Sequence, residues 1–104
     1  MTRVFLDSNV VVYAFSDDPR NTVAETLLGR GCEISVQVLN EVVNVARRKL
    51  GFSWAEIGDA IEAITTLSRT IHPLDLATHR NAVRVAERYG FGFHDALIVA
   101  SALR

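Results

Sequence analysis

Apolar residues recur along this chain in two rhythms: short unbroken runs, and longer stretches in which they return every three or four positions. The first run, Val4-Phe5-Leu6, is rich in strand-forming types, ends at once in Asp7, and reads as a buried strand over 4–6. Residues 10–15 are continuously apolar, and Ser8 and Asn9 before them are good cap residues, which favours a short buried helix. Asp17-Asp18-Pro19-Arg20 makes a turn, its two acids solvated and Pro19 suited to a first helical position. A helix over 21–29 carries Val23, Ala24, Leu27 and Leu28 on one face and closes at Gly29 and Gly31. Residues 33–36 form a second short strand. The clearest helix follows over 37–50, with Val38, Leu39, Val42, Val43, Ala46 and Leu50 at helical spacing and Glu41 in its opening turn.

Ser53-Trp54-Ala55-Glu56 has the form of a capping box, in which Ser53 and Glu56 satisfy each other's backbone amides. The helix it opens turns Ile57, Ala60, Ile61 and Ile64 inward and ends before Arg69. A third strand over 70–73 is cut short by Pro73, which cannot donate to a ladder. A helix over 75–89 follows, with Leu76, Ala82, Val83 and Ala86 on its apolar side, and then a glycine-punctuated loop over 90–93. The last helix begins at His94-Asp95 and is apolar nearly all round, hence buried. Strands that alternate with helices predict a parallel sheet covered on both faces.

With 104 residues there is room for one domain, and 49% hydrophobic residues are enough to give it a core. A formal net charge of −1 supplies no global attraction to nucleic acid, so any such binding must come from local patches. Cys32 is the single cysteine, which excludes an internal disulfide and points to a cytoplasmic setting. No apolar run approaches the ~20 residues needed to span a bilayer, and no signal peptide is evident.

Of the 12 acidic residues, three are set apart by their surroundings. Asp7 ends the first strand, Glu41 follows the second, and Asp95 opens the last helix. In a parallel sheet all three project from one edge, the edge at which open α/β sheets bind ligands. Two like charges about 4 Å apart repel by roughly 4 kcal/mol at an effective dielectric of 20. A hard divalent cation, Mg²⁺ or Mn²⁺, relieves that repulsion at an oxygen-only site and suits phosphodiester hydrolysis. The alternative is three separate helix caps that never meet.

Three motifs then carry a resemblance: Val-Phe-Leu-Asp-Ser-Asn at 4–9, Ser-Val-Gln-Val-Leu-Asn-Glu at 35–41, and Phe-His-Asp-Ala-Leu-Ile-Val-Ala at 93–100. In order and spacing they resemble the PIN-domain ribonucleases, and among these the VapC toxins of type II toxin–antitoxin systems. The resemblance runs from Val4 to Arg104. It implies an α/β, PIN-like three-layer fold, a short parallel sheet flanked by helices, formed by a single domain over 1–104. It implies Asp7, Glu41 and Asp95 as both the catalytic acids and the ligands of Mg²⁺ or Mn²⁺, with Asn9 as a polar neighbour. It further implies an RNA substrate, cleavage to 5′-phosphate and 3′-hydroxyl ends, a cognate VapB-type antitoxin and a homodimer. PIN domains usually carry a fourth acid and two further strands beyond the helix of Asp95. Here the C-terminal strands are missing, so the domain is expected to be truncated at its C terminus and its 4–6 strand left at an edge.

Other residues have plainer explanations. His94, beside Asp95, is more readily a packing or capping residue than a general base. His72 and His79 lack zinc-ligand spacing. Arg47-Arg48-Lys49 could contact RNA phosphates or simply complement a helix dipole. Arg80, Arg84 and Arg88 share one helical face, and Trp54 reads as a core or interface anchor. The leading function is a metal-dependent ribonuclease toxin. The alternative is a catalytically impaired PIN fragment that acts as a protein-binding module. A haloacid-dehalogenase-type phosphotransferase would need an Asp where Asn9 stands, and no G-x-x-x-x-G-K-S/T phosphate loop is present.

Overall fold

The computed structural model describes residues 4–17 and 19–103; Arg3, at the head of the first apolar stretch, and Asp18 of the predicted turn lie outside them. The elements run α1 (Ser8–Tyr13), α2 (Asn21–Gly29), β1 (Glu33–Ser35), α3 (Val36–Arg48), α4 (Trp54–Leu67), β2 (Thr70–His72), α5 (Leu76–Tyr89) and α6 (Phe93–Ala102). β1 and β2 pair in parallel with Ile34 opposite Ile71. On the other side of β1, Phe5 makes a parallel bridge to Glu33. Leu6 N donates to Glu33 O at 2.9 Å, and Glu33 N donates to Val4 O at 2.7 Å. The 4–6 segment is therefore one bridge wide, not a full strand, and it borders β1 on the side away from β2. All three β1 residues are buried, as a central parallel strand requires.

β1 passes directly into α3. Ser35 ends the strand and caps the helix, its Oγ accepting from Val38 N at 3.2 Å. α3 thus begins one residue earlier than the hydrophobic spacing predicts, and Glu41 sits in its second turn, not its opening one. Val38, Val42 and Ala46 are buried along one side of α3 and join Leu6, Val11, Leu28, Ile34, Ile64 and Ile98 in the principal core. The capping box forms as expected: Ser53 N donates to Glu56 Oε1 at 2.9 Å and Glu56 N donates to Ser53 Oγ at 3.1 Å. Burial of Ile57, Ala60 and Ile64 follows.

Three expectations fail where the periodicity of a helix overstates the width of its buried stripe. Val23 on α2 is 64% exposed, and Leu76 and Val83 on α5 are 60% and 46% exposed. α5 buries only Thr78 and Ala82, and it meets α6 through a second cluster of small residues, Ala82, Ala96 and Ala100 with Leu97. Trp54 is not a core anchor: it stands in solvent under the Arg47 guanidinium, which lies 4.8 Å from its ring centre. Among the described residues, no helix is long and apolar enough to cross a membrane.

Candidate active site

Asp7 leaves the end of the 4–6 segment with an extended backbone and serves as the N-cap of α1. Its Oδ1 accepts from Ser8 N at 2.7 Å. Capping and site formation are thus not exclusive, because the second carboxylate oxygen is not used by the cap. Ser8 is buried, and its Oγ donates to Glu41 Oε2 at 2.6 Å. The same Oγ lies 3.3 Å from Asp7 Oδ1, but one hydroxyl carries one proton, and the shorter contact takes it. A single residue therefore holds two of the three acids in place, one by its amide and one by its hydroxyl.

Asp95 is the third residue of α6, whose N-cap, Gly92, offers no side-chain acceptor. A carboxylate in that first turn complements the positive end of the helix dipole. Asp7, Asn9 and Asp95 line one cavity of about 380 Å³, backed by Phe91, Ile98 and Val99. Glu41 lines the adjoining cavity, about 470 Å³, together with Ser8, Gln37 and His94. Asn9 borders both cavities. The structure brings Asp7 and Asp95 together and sets Glu41 next door through Ser8. Among the described residues, no three His, Cys, Asp or Glu side chains converge closely enough to form a metal-binding group. The donor set of the first cavity, two carboxylates and a carboxamide, is all oxygen and suits a hard divalent cation in kind.

His94 is an exposed neighbour of Asp95. Its Nδ1 lies 3.1 Å from Gln37 Nε2, which ties α6 to the first turn of α3. With the amide nitrogen donating, Nδ1 accepts and the ring proton sits on Nε2. Sequence reasoning missed both this link and the Ser8 tether. Ser8 was visible as a hydroxyl directly after a strand-ending acid, but its partner is 33 positions away. Equally unforeseen is a buried pair in the sheet: His72 Nε2 lies 2.8 Å from Glu33 Oε1, across β1 and β2.

A third groove, between α5 and α6, is lined by Arg84, Val85, Arg88, Tyr89, Ala100 and Leu103 and holds none of the three acids.

No relative is found among curated proteins. Among solved structures, VapC20 of Mycobacterium tuberculosis, described as a sarcin–ricin loop cleaving toxin, superposes with a TM-score of 0.71 at 20% sequence identity. The match takes in 93% of this chain and 78% of that one, and at such identity it speaks for a shared fold. The sequence itself supplies the family: residues 4–104 match the model of the PIN domain, a span that includes the 4–6 segment, β1, α6 and all three acids, and the chain belongs to the PIN-domain family.

Proposed function

We propose that this chain is a metal-dependent endoribonuclease of the VapC toxin type. The observation that carries the reading is the cavity shared by Asp7 and Asp95, with Glu41 held one hydroxyl away by Ser8. Asp7 and Asp95 would hold Mg²⁺ or Mn²⁺, with Asn9 at the rim and Glu41 as the third acid. Bound there, the cation supplies charge stabilisation at the scissile phosphorus and an activated water. The chain's own contribution is positional. Ser8 fixes the directions of Asp7 and Glu41 before substrate arrives, and the first turn of α6 sets Asp95 on the cavity that Asp7 lines. Preorganised groups of this kind lower the barrier because nothing need reorient during the reaction.

The same reading makes the protein a cytoplasmic toxin that dimerises and is restrained by a VapB-type antitoxin. Supporting it, the α5–α6 groove and the exposed Tyr89, Phe91 and Leu103 offer apolar surface of the sort that partner chains cover. A second reading, a catalytically impaired protein-binding module, is favoured by one observation: the Glu41 carboxylate rests on Ser8, not with the other two acids. Cleavage of a structured RNA with Mg²⁺ or Mn²⁺, with EDTA, and by Asp7→Asn separates the two. The nuclease reading expects cleavage by the wild type that EDTA stops and Asp7→Asn lowers at least 100-fold, the order of loss expected when a catalytic charge is removed. Equal cleavage by Asp7→Asn would refute it, and a chain inert with either metal would favour the binding module.

A further inference from the structure

Beside the acids, α3 carries a polar stripe that is buried at Gln37, half-buried at Glu41, and exposed at Asn40, Asn44 and Arg48. Gln37, Glu41, Asn44 and Arg48 recur at i, i+4, i+7 and i+11, with Asn40 alongside, so they share one side of the helix opposite the buried Val38, Val42 and Ala46. The stripe runs about 16 Å along the axis, at about 1.5 Å per residue. Its upper part, Gln37, Asn40 and Asn44, lines the 470 Å³ cavity with Asn9 and His94. That cavity touches the Asp7–Asp95 cavity through Asn9, which borders both.

Four carboxamides around one cavity are an unusual lining for a protein–protein contact. Such contacts centre on aromatic and aliphatic anchors, and here the one aliphatic lining residue is the half-buried Val45. Carboxamides are well matched to a nucleobase edge, since each offers a donor and an acceptor side by side. Asn or Gln pairs in two-pronged fashion with adenine N6 and N7. At the far end of the stripe Arg48 and Lys49 are exposed, whereas Arg47 is occupied: its Nη1 donates to Phe52 O at 3.1 Å and its guanidinium covers Trp54. Amides near the acids and free cations beyond them form a base-reading segment followed by a phosphate anchor.

We propose that the α3 stripe is the specificity surface of the enzyme: the Asn40–Asn44 carboxamides take one unpaired base, preferentially adenine, next to the phosphate presented to Asp7 and Asp95, and Arg48 holds a phosphate further along the strand. This rests on the ribonuclease reading for the chemistry, but the base preference is measured without cleavage. The ligand is single-stranded RNA, whose unstacked bases expose the edges that a duplex hides.

The test measures binding of short fluorescent RNAs by anisotropy in EDTA, with one A, C, G or U placed in an otherwise uniform uridine strand. Wild type should favour the adenine strand over all-uridine by about tenfold, within the range that one good two-pronged pair supplies. The Asn40→Ala/Asn44→Ala pair should bring that ratio to about one. The isosteric Asn40→Asp/Asn44→Asp pair can accept but not donate, and should move the preference from adenine to cytosine, whose N4 donates. Its unchanged shape guards against a result that merely reports misfolding. Arg48→Ala should weaken every strand alike and flatten the salt dependence. The inference is overturned if wild type binds all strands equally, if the preference survives both asparagine pairs, or if the cavity engages a second protein chain and ignores RNA. Asp7→Asn runs in parallel. Retained cleavage by Asp7→Asn removes the nuclease reading, whereas retained base preference with lost cleavage supports both.

Discussion

At the scale of single residues, Ser8 is where small changes should have the largest effect. Its hydroxyl satisfies Glu41 inside a half-buried setting, and its amide satisfies Asp7. Ser8→Ala leaves the amide bond and removes only the hydroxyl. A hydrogen bond to a charged partner contributes about 1.5–3 kcal/mol, so urea unfolding should show a loss near the lower end because Glu41 keeps some access to water. RNA cleavage should fall further than stability does, since the third acid is left without a guide; unchanged cleavage would mean that Glu41 needs none. Cys32 offers a separate check on the core. Burial raises its thiol pKa above the ordinary value, only partly offset by Ser68. Its contribution to stability is therefore whole below the ordinary thiol range and declines as pH rises through that range toward the folded value. A thiol reagent at mildly alkaline pH should label Cys32 only as the protein unfolds, and rapid labelling of the native chain would contradict this burial. The acids themselves could be picked out of the sequence by their places: Asp7 ends the first apolar run, Glu41 lies early in the helix that follows the second strand, and Asp95 opens the last helix. What brings them near one another could not, since Ser8 to Glu41 and Gln37 to His94 are contacts between distant parts of the chain.

At the scale of elements, local rules and tertiary packing contributed differently. The capping box at Ser53 and the Asp75 cap, which accepts from Thr78 N at 2.9 Å, follow from residue types a few positions apart, and both form. Glu56 sits with its pKa lowered, first by the Ser53 amide and then by the Ser53 hydroxyl. A carboxyl whose folded pKa is depressed stabilises above its unfolded value and loses that contribution as pH falls through the folded one. Melting temperatures of wild type and Glu56→Ala should accordingly differ at neutral pH and converge in acid; a constant gap would assign the effect to helix propensity instead. Asp75→Ala, which removes a cap whose partner Thr78 is buried, should cost about 1 kcal/mol in urea unfolding. Packing decided what the local rules left open. Hydrophobic spacing located α2 and α5 but could not say how wide a stripe each would bury, because that depends on how much neighbouring structure covers it. Val23, Leu76 and Val83 lie on the uncovered margins. The first strand is short for a related reason: among the described residues, the ladder bonds of the 4–6 segment all run to Glu33.

At the scale of the whole molecule, α6 joins two unequal bodies of packing. Ile98 belongs to the principal core with Val11, Ile34 and Val38, whereas Ala96, Leu97 and Ala100 face α5 in a cluster of small side chains. Small residues allow close approach but bury little apolar area, and hydrophobic stabilisation scales with that area. α5 is accordingly the weakly held element and α3 the firmly held one. Native-state hydrogen exchange should register this as a gradient. Amides of α3 should open only with global unfolding, and those of α5 through a smaller local opening. Gly90 marks the boundary between the two helices. It ends α5 in the left-handed conformation at φ 71°, and its amide donates to Ala86 O at 2.9 Å. Asp95 rides on α6, so its position depends on the weaker cluster as well as on Ile98. Ala82→Gly should deepen the local opening of α5 while leaving α3 exchange nearly unchanged, and it should reduce RNA cleavage at temperatures where the protein is still folded. Ile98→Ala removes apolar volume from the principal core and should cost about 2–5 kcal/mol globally. Uniform protection across α3 and α5 would show that the two clusters unfold as one, and Asp95 would then answer to global stability alone.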